Sequence, residues 1–265
     1  MTNSIPRNIR IVKKRIVKAC DRVGRNPESV QIILATKEVE PKRILEAKQY
    51  GYGIAAENKV QEAEEKIKKM ADRASELSWH FIGHLQSNKV NKVVRFASMI
   101  QSIDRIKIVH KLNQRLTKVD KTMDALVQVN TSGEDSKYGI APDETIEFIK
   151  TASEYDRLSI KGLMTIGLFS DNWPKVRAGF RQLRKLRDTI AAEQIDNVSM
   201  KHLSMGMTND FELAIEEGAT MVRLGRAVFG DRDTPDSYYW PGIGMPAFNT
   251  ESNKKGVEIS PYKPI

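Results

Sequence analysis

Lys37 closes the first apolar strand-like run of the chain, Val30-Gln31-Ile32-Ile33-Leu34-Ala35-Thr36-Lys37. A continuous run such as Ile32-Ile33-Leu34 is expected of a parallel strand buried on both faces. A lysine at its end has its ammonium at a ligand-facing edge. Burial lowers an amine's pKa because the charged form loses hydration, and a neutral amine attacks aldehydes. Two later segments suit a phosphate. Ser204-Met205-Gly206-Met207-Thr208 joins a strand to a helical pattern, and Gly225-Arg226-Ala227 follows the last strand. Gly206 allows a tight backbone approach, Ser204 offers a hydroxyl, and free N–H groups at helix starts bind anions. Arg223 lies inside the apolar strand Thr220–Leu224 and needs a partner. It either pairs with an internal carboxylate such as Glu57 or donates to a pyridine nitrogen. An always-protonated arginine would keep that nitrogen unprotonated and weaken its electron-sink character. A lysine, two anion-ready turns and an arginine together suggest a phosphorylated aldehyde held as a Schiff base. That is the chemistry of pyridoxal 5′-phosphate (PLP).

The remaining chemistry-bearing residues are sparse. The four histidines, His80, His84, His110 and His202, show no metal-ligand spacing, and the single cysteine, Cys20, permits no internal disulfide. No metal site is expected. Cys20 fits an apolar helix position and a reducing, cytoplasmic setting. The first ten residues have no signal-peptide pattern and no run is long enough to span a membrane. The net charge of +9 is spread over many helices and interleaved with acids. Glu62–Lys66, Glu64–Lys68 and Glu65–Lys69 are i,i+4 pairs in the favourable order and mark a solvated helix face. Arg177, Arg181, Arg184 and Lys185 form one dense basic face, expected on an outer helix. This distribution argues against a nucleic-acid surface.

These groups need a scaffold. Ser4 to Val23 reads as a helix with Ile5, Ile9, Val12, Ile16 and Cys20 on one stripe. Strand-like runs follow near 31–36, 53–56, 79–83, 99–102, 124–130, 160–166, 198–204 and 220–224. Helical patterns lie near 41–50, 59–73, 88–96, 105–118, 142–154, 174–192 and 208–217. The alternation predicts an α/β fold, a single-domain (β/α)8 TIM barrel with an extra N-terminal helix. Ligand groups then belong at the carboxyl ends of the strands, where Lys37, Asn58, His84, Asp104, Met164, Ser204 and Gly225 fall. A doubly wound sheet would show Gly-x-Gly-x-x-Gly after its first strand, and Thr36-Lys37-Glu38 stands there instead. Ser87 or Asn88 is expected to order a helix start. The barrel is assigned to residues 1–233. Residues 234–265, with five prolines and no periodicity, read as an irregular Pro/Gly-rich C-terminal tail whose Tyr238, Tyr239 and Trp240 are placed to anchor it.

The segments Ala35-Thr36-Lys37, Glu57-Asn58-Lys59-Val60-Gln61-Glu62, Trp79 to Lys89, Ser102-Ile103-Asp104, Gly162 to Ile166, Ser204-Met205-Gly206-Met207 and Met221 to Gly225 occur in an order that resembles a known family. It is the family of PLP homeostasis proteins, similar to the N-terminal domain of alanine racemases. The resemblance runs from about Ile5 to Arg232. It implies a PLP fold-type III barrel without the second, β-rich domain of the racemases. It implies covalent PLP on Lys37, Arg223 beside the pyridine nitrogen, and Ser204, Gly206, Gly225 and Arg226 around the phosphate. Asn58 and Met164 would line the cofactor. The implied role is intracellular PLP homeostasis without established catalysis and with no catalytic residue. PLP-dependent apoenzymes are the implied partners and a monomer or weak dimer the implied state. The alternatives are a narrow amino-acid racemase, and a barrel binding nucleic acid or protein through the basic helix 175–192. Three departures stand out: Thr36 where serine is common, Ala55-Ala56-Glu57-Asn58-Lys59 in place of Phe-Gly-Glu-Asn-Tyr, and Arg226 in place of threonine. The tail is longer than is usual in the family.

Overall fold

The alternation expected from the sequence is realised in a computed structural model that describes residues 4–134 and 136–231. The assigned tail at 234–265, with Tyr238, Tyr239 and Trp240, lies outside the described residues. Helix α1 (Ile5–Asp21) precedes β1 (Gln31–Ala35) and α2 (Pro41–Gln49). Then come β2 (Ile54–Glu57), α3 (Val60–Met70), β3 (Ser78–Phe81), α4 (Val90–Phe96), β4 (Met99–Ile103) and α5 (Ile106–Lys118). The second half holds β5 (Met123–Gln128), α6 (Thr145–Ser153), β6 (Leu158–Met164), α7 (Trp173–Ala192), β7 (Val198–Ser204), α8 (Phe211–Glu216), β8 (Met221–Leu224) and the short α9 (Arg226–Phe229). The eight strands are parallel and close into a barrel in sequence order. The seam is β8 against β1, with Ile33 opposite Arg223 and Leu34 opposite Leu224.

Strand alternation separates two cores. Ile33, Ala56, Met99, Leu126, Met164 and Met221 fill the barrel interior. Ile32, Leu34, Trp79, Phe81, Val222 and Leu224 face the helix ring. Much of both faces of the strands is therefore apolar, which is why these strands read as runs rather than as alternating patterns. Helix α1 packs its predicted stripe, including Cys20, into the outer core. Helix α4 begins at Val90 after a 3-10 turn at Ser87–Lys89 and has no side-chain cap, so neither Ser87 nor Asn88 performs the expected capping. No described helix is long and apolar enough to cross a membrane.

Two charge readings change in three dimensions. The basic face of α7 is only partly solvated, because its arginines converge on the carboxylates at the end of α8. Arg177 holds Glu216 and Glu217, Arg181 reaches Glu217 at 2.8 Å and Arg184 at 3.3 Å. From the other side, Arg15 of α1 and Arg22 just after it hold Glu212 at 2.8 Å and Glu216 at 2.6 Å. Helix α8 is thus clasped between α1 and α7. The second change concerns Lys66, expected on a solvated face but only 6% exposed. Its place on α3 is in register with the buried Ala63 and Met70, at i−3 and i+4.

Candidate functional site

An open cavity of ≈ 90 Å³ lies at the carboxyl ends of β1 and β8. Its wall includes Lys37, Arg223, Gly225 and Arg226, together with Phe169, Thr208 and Asp210. Barrel closure explains the meeting of residues so far apart in sequence, since β1 and β8 are neighbours only at the seam. Lys37 lies two residues beyond the end of β1 rather than in it.

The loop after β7 is shaped by Gly206, whose φ of +90° belongs to the left-handed region. A Cβ there would lie 2.6 Å from that of Ala214, so only glycine lets the loop fold back onto α8. The N–H of Met207 donates to Asp210 Oδ1 at 2.6 Å, and Thr208 Oγ1 accepts from the N–H of Ala227 at 3.2 Å. Thr208 therefore ties the β7 loop to the start of α9. Gly225 comes close to β1, where an added Cβ would be 3.1 Å from the carbonyl oxygen of Ala35. Burial pushes the Asp210 carboxyl up to about 6, against the opposing effects of the Met207 N–H and the nearby Arg223 charge.

Arg223 is 4% exposed and points into the barrel. One terminal nitrogen donates to the carbonyl and the hydroxyl of Ser204, both at 2.8 Å, and the other to the carbonyl of Thr165 at 2.7 Å. The Ser204 hydroxyl in turn donates to Gln101 Oε1 at 2.7 Å, and the Gln101 amide nitrogen lies 2.8 Å from His80 Nδ1. Burial lowers the guanidinium to about 10 and His80 to about 4, so the chain is a charged end on neutral dipoles. The expected alternative of an Arg223–Glu57 pair is not formed. Ala56 faces the interior, so Glu57 beside it points to the opposite face of the sheet.

Glu57 instead belongs to an outer cluster under the Lys37 segment. Lys66 Nζ donates to Glu57 Oε1 at 2.7 Å, to Glu62 Oε1 at 2.6 Å and to the Thr36 carbonyl at 2.6 Å. Thr36 donates its hydroxyl to Glu57 Oε1, and the N–H of Glu38 donates to Glu62. Glu57 Oε2 is buried with no hydrogen-bond partner. Burial is the largest influence on Glu57 and raises its carboxyl to about 7 despite Lys66.

Of the eight nominated residues, Lys37, Arg223, Gly225 and Arg226 meet in the cavity wall. Gly206 shapes the adjoining loop without lining the cavity. Ser204 is fully buried and engaged with Arg223 and Gln101. Met164 packs in the interior core beneath the site. Asn58 follows β2, and its Oδ1 is buried with no hydrogen-bond partner. Sequence reasoning placed Thr208 in the phosphate segment without nominating it, and missed Asp210, which stands at the start of α8 but spends its carboxylate on the Met207 N–H rather than on a helix cap. It also missed Lys66. Among the described residues no cluster of metal-ligating side chains occurs.

The wall thus combines an amine, two guanidiniums, a hydroxyl and glycine backbone, a donor set suited to an anionic aldehyde. The orphaned acceptor of Asn58, at the carboxyl end of β2 next to β1, would gain from a ligand-borne donor. Comparisons with known proteins point the same way. The model of the alanine racemase N-terminal domain matches residues 5–233. The pyridoxal phosphate homeostasis protein of Aquifex aeolicus is 41% identical over 221 residues, covering 83% of this chain and 95% of that one. A crystal structure of a Bifidobacterium adolescentis protein is 36% identical with a TM-score of 0.82, covering 85% of this chain and 94% of that chain. PipY of Synechococcus elongatus, solved with PLP bound, is 30% identical with a TM-score of 0.73, covering 83% of this chain and all (100%) of its own.

Proposed function

We propose a function from one premise: the chain belongs to the pyridoxal phosphate homeostasis proteins, built on the alanine racemase N-terminal domain. It binds PLP covalently through Lys37 and serves the supply of that cofactor rather than turning over a substrate. The observation that carries this reading is the meeting of Lys37, Arg223, Gly225 and Arg226 in one cavity at the barrel seam. PLP supplies an aldehyde that condenses with an amine and a ring that withdraws electrons. The protein's part is positional. The backbone at Gly225 and the Arg226 guanidinium would hold the phosphate, with Thr208 of the same wall taking the place of the nominated Ser204. Arg223, about 10 and so protonated at neutral pH, would donate to the ring nitrogen and keep it unprotonated. That arrangement favours holding the cofactor over broad carbanion chemistry.

The test is the visible absorbance of the purified protein with PLP, before and after Lys37→Ala. Wild type should be yellow, and the variant should bind PLP only reversibly. A yellow band that survives the substitution would overturn the attachment. Replacing Arg226 by Thr should change PLP retention by less than about fivefold, because a partly exposed ion pair contributes about 1 kcal/mol or less.

A second reading, narrow racemase chemistry, needs a proton-transferring group on each face of the substrate carbon. Asp210 is the carboxyl of the cavity wall, but it is committed to the Met207 N–H. Exchange of an amino acid's α-hydrogen with deuterated solvent, lost in Asp210→Asn, would support that reading. Absence of exchange leaves the carrier.

A further inference from the structure

Lys37 stands in a segment that regular structure does not hold. β1 ends at Ala35 and α2 begins at Pro41. The next residue, Glu38, has φ of +61°, a left-handed conformation uncommon for a residue with a side chain. Such a conformation persists only where its surroundings over-determine it. Here the surroundings come from behind the sheet. The carbonyl of Thr36, just before Lys37, accepts from Lys66. The N–H of Glu38, just after it, donates to Glu62. Lys66 bridges Glu62 to Glu57, and Glu57 takes the Thr36 hydroxyl. One ammonium thus connects both flanks of Lys37.

This cluster is a poor way to gain stability. Glu57 is fully buried and Lys66 nearly so, and one Glu57 oxygen has no hydrogen-bond partner. Buried ion pairs are often replaced by apolar residues at no loss of stability. Their retention beneath a single lysine calls for a different account. We propose that Lys66, with Glu57 and Glu62, is a positioning device for Lys37, fixing the backbone at residues 36–38 so that the Lys37 amine is presented to the cavity. The inference deepens the proposed function and rests on covalent attachment through Lys37. It also gives Thr36 a role: its hydroxyl serves the clamp and does not line the cavity.

The experiment uses the full chain and four proteins: wild type, Lys66→Met, Lys66→Arg and Glu62→Ala. Pyridoxal, PLP and pyridoxamine 5′-phosphate are the probes. Aldehyde bound to Lys37 is trapped with borohydride and quantified by peptide mass, which gives a labelling rate. Pyridoxamine 5′-phosphate has no aldehyde, and its Kd reports the non-covalent contacts alone. Lys66→Met should slow labelling of Lys37 by roughly tenfold while its Kd for pyridoxamine 5′-phosphate stays within about twofold, the pattern expected of a misplaced reacting group. Lys66→Arg should recover part of the rate. A folded Lys66→Met protein labelled at the wild-type rate overturns the inference. If Lys66→Met does not fold, Glu62→Ala carries the test, because it removes the acceptor of the Glu38 N–H and one of the Lys66 contacts while leaving the buried Lys66–Glu57 pair. An unchanged rate there overturns the inference equally. A wild type in which PLP is trapped on no lysine overturns the proposed function and the clamp with it. Wild-type labelling that all variants match overturns the clamp alone.

Discussion

Two buried polar clusters lie on opposite faces of the same sheet, and each ends at a residue of the proposed cofactor site. The inner one runs His80–Gln101–Ser204–Arg223 across the barrel. The outer one, Thr36–Glu57–Lys66–Glu62, sits under Lys37. The inner cluster has one charge, on Arg223, and neutral dipoles behind it. With Gln101 Oε1 taken by Ser204, its amide nitrogen faces His80, which must then carry its proton on Nε2. The outer cluster gathers one cation and two carboxyls and leaves an oxygen of Glu57 unpartnered. Burial acts against charge in both, lowering one pKa and raising the other. It removes charge from His80 and discourages it on Glu57. Polar groups can thus be fixed inside one barrel either by neutral dipoles in series or by a concentrated ionic knot. Only the knot titrates near neutral pH.

The largest expected effect separates the two at once. Lys66→Met should cost about 3–5 kcal/mol of unfolding free energy, since it strands buried carboxylate. Urea unfolding would measure it, and Glu57→Leu in the same chain should restore most of the loss. A cost below about 1 kcal/mol would mean that the outer cluster is not held by charge.

The pH dependence should have opposite signs. Glu57 is raised from 4.5 to about 7 in the fold. The folded state then binds the extra proton, so stability from this group falls as pH rises from 4.5 through about 7, by about 3 kcal/mol in all. His80 is lowered from 6.5 to about 4. The unfolded state binds the extra proton there, so stability is complete above 6.5 and falls by about 3 kcal/mol as pH drops through about 4. Glu57→Gln should flatten the first limb and His80→Gln the second in unfolding curves taken from pH 4 to 8. A variant that flattens the other limb would break the comparison.

Ser204→Ala should cost about 1–3 kcal/mol, because Gln101 and Arg223 each lose a buried partner. The change should appear equally at pH 5 and pH 7.5. Outside both clusters, Arg184 is 37% exposed and 3.3 Å from Glu217. Arg184→Ala should shift stability by no more than about 0.5 kcal/mol and lose that effect in high salt.

Much of this was legible in the sequence. The strand positions, the N-terminal helix and the meeting of Lys37 with Gly225 and Arg226 follow from apolar runs and from the closure of a barrel. What did not follow was which face each polar residue takes. Where both faces of a strand are apolar, alternation leaves no trace, so Glu57 could be offered to Arg223 although the sheet stands between them. Lys66 was misread for a related reason. A Glu–Lys pair at i,i+4 looks the same in water and in a core, and only its register with Ala63 and Met70 marks it as inward. Thr208 and Ser204 exchange prominence because the strand continues through Ser204, which keeps its hydroxyl inside the barrel.

The barrel seam has a consequence for the order of events at the ribosome. Helix α1 is made before every barrel strand, yet its partners include the last two described helices: Asn8 binds the carbonyl of Val228, and Arg15 and Arg22 bind α8. β1 likewise waits for β8. Contacts of such long sequence separation form slowly. The growing chain therefore carries Lys37 for most of its synthesis with no pocket around it. Competence for the ligand arrives in the same step that closes the sheet, so an incomplete chain has no assembled site, and a bound ligand would favour only chains that have finished.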